Sequence, residues 1–276
     1  MKKMSLEEIK KIELDMLKYL KKICDDNKLT YFLCGGTLLG AIRHQGFIPW
    51  DDDIDILMPQ EDYIKLFEIF KNNINYDILT PYNSKDYYYF FSKIVDKRTV
   101  LNEIGLPKIK GMGVYIDIFP LYGLSKNNPE DFMNNVKLEF QNFVFSKWKL
   151  YYADEIFLKR LFKMIIYFPK YLFLSKTNWH VRKERILKMI EKYSFKYSEK
   201  IAFPLAKYGL KEILGKKVYS KTVNVKFEDE YFSAPIGYDE YLSNLYGDYM
   251  KLPPVEKRKT HHHFDAYWKE NGVKTK

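Results

Sequence analysis

Between Trp50 and Met58 the chain sets four aspartates, Asp51, Asp52, Asp53 and Asp55, among Ile54, Ile56 and Leu57, and no other stretch limits the fold as much. In an extended chain alternate residues share a face. Ile54 and Ile56 therefore point into a core, which pins the register, because a slip of one residue would bury the acids instead. Asp53 and Asp55 then converge on one side of a strand end. Two carboxylates held that close repel unless a divalent cation neutralises them, so the pattern points to a hard-oxygen magnesium or manganese site. The competing reading is an acidic surface loop. Alternation with isoleucine, just downstream of a glycine pair, favours the cation site.

A third acid sits at Tyr115-Ile116-Asp117-Ile118-Phe119, alone in an apolar strand. A buried aspartate needs a partner. If this strand lies beside Ile54–Met58, Asp117 joins Asp53 and Asp55, and the three can hold two metal ions for in-line phosphoryl displacement. Otherwise it caps a strand end before Pro120. Gly35-Gly36-Thr37 opens a helix after a strand, where backbone N–H groups attract phosphate and missing side chains allow close approach. A Gly-Gly pair is often only a turn; this one gains weight from its place upstream of the acids.

Periodicity supplies the frame. Ser5 and Glu8 form a capping box, and Ile9, Ile12, Met16, Leu20 and Ile23 recur at helical spacing, so a first helix runs to about residues 25–28. Thr30 to Cys34 reads as a buried strand, Thr37 to Arg43 as a short helix stopped by Gly46, Ile54 to Met58 as a strand and Glu61 to Lys71 as a helix. Tyr76–Thr80, Tyr87–Val95 and Val114–Phe119 read as extended. This mixture predicts an α/β or α+β catalytic core over residues 1–125. Asn128-Pro129-Glu130-Asp131 starts a helix, and residues 130 to about 200 read as mainly helical, aromatic and basic. Composition shifts near residue 125, so 126–276 forms a second region, with a hairpin around Val218–Phe227 and a Pro253-Pro254 break before a His-containing tail.

The charge balance, 46 Lys and Arg against 36 Asp and Glu, suits a phosphate-bearing ligand or an anionic surface, and equally a lysine-rich composition. No nucleic-acid motif accompanies it. Cys24 and Cys34 match no zinc or CxxC spacing and read as buried free thiols of a reducing compartment. The N-terminal residues turn acidic at once, which reads against a signal peptide. No segment has the roughly 18 uncharged apolar residues of a membrane span. A cytoplasmic protein is expected.

The order Gly-Gly-Thr, Asp-Ile-Asp, Ile-Asp-Ile resembles the nucleotidyltransferase fold of polymerase-beta type, a mixed α+β sheet with flanking helices. The run from Cys34 through Gly35, Gly36, Thr37, Arg43, His44 and Trp50 into the acids is similar to the signature of the LicD family, phosphocholine transferases related to fukutin. Family-like segments recur at Lys93–Thr99, Asp117–Leu121, Pro235–Leu242 and Leu245–Tyr249, so the resemblance covers nearly the whole chain. One departure is Tyr122, where the family usually has an acid.

The resemblance implies transfer of phosphocholine from CDP-choline to a hydroxyl of a cell-surface glycan (teichoic acid, lipopolysaccharide or capsule precursor), with release of CMP. Nucleotidyl transfer, transfer of another phosphoalcohol such as phosphoethanolamine or a polyol phosphate, and an inactive glycan- or nucleotide-binding module are the alternatives. On this reading Asp53 and Asp55 hold magnesium or manganese, and Asp117 binds metal and orients the acceptor hydroxyl. Asp51 and Asp52 take supporting places. Gly35, Gly36 and Thr37 line the phosphate side, and Arg43, His44, Lys93 and Arg98 neutralise the diphosphate. Trp50, then Tyr115 or Tyr122, supplies an aromatic wall for the choline cation. His262, within His261–His263, contacts phosphate or nucleotide. The basic, aromatic stretch Lys147 to Lys176 packs on the core or rests on the inner face of a membrane, where a lipid-linked sugar acceptor would lie.

Overall fold

The computed structural model describes residues 2–71, 73–83, 86–146, 168–169, 172–174, 178–258, 260 and 264–269. His261–His263 and most of Lys147–Lys176 lie outside these, so the readings placed on them have no structural counterpart here. Among the described residues, no helix is long and apolar enough to cross a membrane.

Helix α1 spans Leu6–Asn27. Ser5 Oγ accepts from the Glu8 amide and the Glu8 carboxylate from the Ser5 amide, the reciprocal cap expected from the sequence, and Lys28 ends the helix in the left-handed region. Strand β1 (Phe32–Leu33) leads into α2 (Gly35–His44), which begins two residues earlier than its pattern suggested. It ends at Gln45, whose φ of 58° closes the last turn. Then come β2 (Asp55–Pro59), α3 (Gln60–Phe70), β3 (Tyr76–Leu79), β4 (Ser92–Asp96), β5 (Thr99–Glu103) and β6 (Tyr115–Gly123).

The main sheet runs β1-β2-β6-β4-β3, with β2 and β6 parallel and the other pairs antiparallel. It is a mixed sheet in an α+β protein, as expected. Ile54, Ile56 and Met58 and their neighbours Ile116 and Ile118 are wholly buried, each side chain contributing roughly 1.5–3 kcal/mol. Helix α3 covers this face, and the Tyr63 hydroxyl meets Ser92 Oγ at 2.6 Å. The opposite face carries Asp55, Leu57, Asp117 and Phe119, so one alternation builds a core and a site back to back.

Past residue 125, helix α4 (Pro129–Ser146) packs on α5 (Trp179–Ile190). The described residues from 130 to about 200 are mainly helical, as expected, and strands resume at Lys200. Strand β7 (Lys200–Ala202) pairs with the far end of β6 and with β8 (Leu214–Gly215). The hairpin is β9 (Thr222–Phe227) with β10 (Glu230–Pro235), later than predicted because Lys216–Tyr219 forms a 3-10 turn instead of a strand. Helix α6 (Tyr238–Tyr246) follows. The tail holds an unpredicted strand, β11 (Phe264–Trp268), paired with β5. Its alternation is too short to stand out without that partner. One hydrophobic core runs from Met4 to Ala266.

Candidate active site

A cavity of about 830 Å³ opens where β2, β6 and the start of α2 meet. Asp55 and Asp117 are partners in the parallel β2–β6 register, and the Asp117 amide donates to the Ile54 carbonyl at 2.9 Å. Both line the cavity, with Asp51 and Asp53. Ligand atoms of Asp51, Asp52 and Asp53 lie within 4.8 Å of one another. Asp52 is buried and does not line the cavity, whereas Asp51 lines it and so takes a larger place than its sequence position suggested.

The glycine pair is explained by these acids. Gly35 starts α2 at a φ of 53°, and a Cβ there would stand 3.0 Å from Asp55 Oδ2. A Cβ on Gly36 would collide with Asp51 Oδ2. Side chains at either position would push the carboxylates off the helix start. The Gly35 amide donates to the Tyr241 hydroxyl at 3.2 Å. Thr37 has a different place from the one expected: it is buried, and its hydroxyl accepts the Asp55 amide at 2.8 Å, latching α2 to the first residue of β2.

Lys93 lies opposite Asp117 in the antiparallel β4–β6 register. Its ammonium is 2.7 Å from Asp117 Oδ1 and 3.4 Å from the Tyr115 ring centroid, in a pocket where both charges are nearly dry. It therefore holds Asp117 and does not itself line the cavity. Arg98 is further off: it folds onto Asp96 (Nε to Oδ1 3.0 Å) at the other end of β4, with its guanidinium over Trp268. Arg43 lines the cavity, but its Nη1 donates to the Tyr249 carbonyl at 2.7 Å. His44 lies behind it, 3.4 Å from Arg43 Nε through Nδ1, with its imidazole pKa lowered by burial and by the Arg43 charge.

Trp50 lines the cavity with Arg258 above its ring at 5.5 Å and His44 at its edge. Tyr115 and Tyr122 do not line it. Tyr115 is covered by Lys93, and Tyr122, on the strand's buried run, lies against Tyr82.

The electrostatics match the crowding. Burial pushes the Asp55 carboxyl well above the usual range, and the charges of Asp53, Asp117 and Asp51 add to this, opposed by Lys93. Glu13 of α1 is drawn into the same neighbourhood: burial, then Asp53 and Asp52, raise its pKa strongly, and its Oε2 has no hydrogen-bond partner. An all-oxygen donor set, carboxylates that resist ionising together and a glycine cradle that leaves them room fit a hard divalent cation.

Much of the remaining cavity lining was not legible in the sequence. Phe91, Phe119, Phe203, Tyr208, Glu212 and Tyr246 all line the cavity. Burial pushes Glu212 up to about 7, offset in part by a bond from the Tyr208 backbone. Phe119 and Tyr246 fell in segments singled out beforehand, and nothing in the sequence marked Glu212.

A family model described as the LicD/FKTN/FKRP nucleotidyltransferase domain matches residues 28–156. The chain is 32% identical over 283 residues to the lipopolysaccharide cholinephosphotransferase LicD of Haemophilus influenzae, covering 97% of this chain and 99% of that protein. Uncharacterised proteins of Rickettsia prowazekii and Rickettsia typhi are 46% and 44% identical over 54 residues, 20% of this chain in each case.

Proposed function

The chain belongs to the LicD family, and on that premise we propose that it transfers phosphocholine from CDP-choline to a hydroxyl of a cell-surface glycan, releasing CMP. The acceptor class follows the full-length relative, whose name assigns it lipopolysaccharide; teichoic acid and capsule precursors offer the same hydroxyl chemistry. The scaffold is nucleotidyltransferase-like, with residues 1–125 as catalytic core and 126–276 completing the substrate site. The enzyme acts in the cytoplasm or at the inner face of the membrane.

The observation that carries this reading is the in-register pair Asp55 and Asp117 at one cavity wall, with Asp53 lining the same cavity and the Gly35-Gly36 helix start packed against Asp55 and Asp51. Asp53, Asp55 and Asp117 are the residues that would hold magnesium or manganese, which supplies charge neutralisation of the transferred phosphoryl group. Asp117 orients the acceptor hydroxyl, and Lys93 fixes the Asp117 carboxylate from behind. The acceptor oxygen attacks the choline-bearing phosphorus, the bond to the CMP phosphate oxygen breaks, and the acceptor proton passes to Asp117. The α2 amides and Arg43 stand on the diphosphate side.

Incubation with CDP-choline, a divalent cation and a glycan acceptor should release CMP and leave the acceptor carrying phosphocholine by mass spectrometry. Asp55→Asn should lower the rate by at least about a hundredfold, as loss of an electrostatic catalytic group does. An acceptor carrying CMP would replace this reaction with nucleotidyl transfer, and unchanged turnover in Asp55→Asn would remove the acids from the mechanism.

A further inference from the structure

Three phenylalanines from separate parts of the chain meet beside the acid pair. Phe119 follows Asp117 by two residues on β6, so both share the cavity face, roughly 6.5–7 Å apart along the strand. Phe91, just before β4, sits against it with ring centroids 4.4 Å apart. Phe203, just after β7, closes the group at 5.6 Å from Phe119 and 6.3 Å from Phe91. All three line the cavity.

We propose that Phe91, Phe119 and Phe203 form the subsite for the donor's trimethylammonium group, an inference that rests on the CDP-choline reading above. The phosphorus under attack lies at Asp117, and choline hangs from it by a P–O–C–C–N arm. Extended, that arm covers most of the strand step from Asp117 to Phe119, and ring contact closes the remainder. Aromatic faces attract a quaternary ammonium, which has no N–H to satisfy. The aspartates on the same face add a favourable field for a cation.

Trp50 and Tyr115, the aromatic groups to which the sequence first pointed, are already committed. The face of Trp50 is covered by Arg258. Tyr115 and Tyr89 surround the Lys93 ammonium, at 3.4 and 4.7 Å. That ammonium approaches Phe91 at 5.2 Å, but it is paired with Asp117 and leaves the Phe119 and Phe203 side to the cavity. A primary ammonium, as in ethanolamine, would stay better solvated outside this apolar corner.

The test is calorimetric binding of CDP-choline, CDP-ethanolamine and CDP, with CMP release measured in parallel. Wild type should prefer CDP-choline to CDP-ethanolamine. Phe119→Leu and Phe203→Leu, which keep apolar volume but remove the ring, should each weaken CDP-choline about tenfold and erase most of that preference. CDP affinity should stay within about twofold, and Phe119→Tyr should restore the preference. Equal weakening of all three ligands, or a preference intact in both leucine variants while wild type turns over CDP-choline, would overturn the subsite and leave the transferase reading standing. Wild type that neither binds CDP-choline nor releases CMP would remove both.

Discussion

The two ends of β4 carry the same kind of charge pair in different settings. At one end Lys93 bonds Asp117 across the sheet, with both side chains almost fully enclosed (2% and 10% exposed). At the other, Arg98 turns back on Asp96 with its own side chain 46% exposed. Four residues separate a cation that serves the cavity from one that closes a turn. Both looked alike in the sequence, where Lys93-Ile94-Val95-Asp96-Lys97-Arg98 reads as a basic patch fit for phosphate. Strand position decides between them: Lys93 shares a register place with Asp117, whereas Arg98 lies beyond the last paired residue of β4.

The comparison breaks if the two cations prove equivalent. Lys93→Met should destabilise the protein by about 3–5 kcal/mol, because it strands a buried carboxylate. CMP release should fall with it, and urea denaturation beside the activity assay reads both. Adding Asp117→Asn to that variant should return much of the stability and none of the activity, which separates charge burial from chemistry. Arg98→Met should cost less, about 1–2 kcal/mol, since the guanidinium is half-exposed and the enclosed Asp96 carboxylate keeps the backbone amide of residue 98 as a donor, and turnover should stay near wild type. A large loss of turnover in Arg98→Met would return that residue to the phosphate side.

The smallest effect sharpens the contrast from the opposite wall. Glu212 faces the same cavity, and its pKa of about 7 comes from burial, with no neighbouring lysine among the causes. A carboxyl raised in the folded state opposes folding once ionised, so its penalty is absent below the unfolded value near 4.5 and grows as pH rises toward 7. Glu212→Gln should therefore be more stable than wild type at pH 8, by about 1 kcal/mol after allowance for solvent in the cavity, and equal to it near pH 4. Thermal melts across that range measure the gap. A gap that shrinks toward high pH would reverse the sign and the argument.

What could be read from the sequence was whatever a short stretch encodes by itself. The Ser5–Glu8 cap, the alternation of Asp55 with Ile54 and Ile56, and the isolation of Asp117 within an apolar run each carry their own local signature. The β2–β6 pairing then sets Asp55 beside Asp117. The rest depended on partners distant along the chain. β11 is a strand because β5 and residues 2–4 offer it an edge. Thr37 became a latch because β2 starts beneath it. Among 24 Tyr, 20 Phe and 4 Trp, no local property separates Phe119 and Phe203 from rings that merely fill the core. Trp50 drew attention by sitting next to the acids, and in space its face belongs to Arg258.

The parallel pairing of β2 with β6 has a consequence for how the molecule comes to exist. Asp55 and Asp117 sit on strands whose connection contains α3, β3, β4 and β5. Closing a segment of that length costs roughly 3–4 kcal/mol of chain entropy before the pair returns anything. Parallel, non-local pairing of this kind forms late. While the ribosome is still delivering β6, Asp55 stands apart from Asp117 and is spared its repulsion. The charge conflict that suits the pair to phosphate chemistry arises only when β6 brings Asp117, and by then β4 has already been made, with Lys93 to hold that member of the pair.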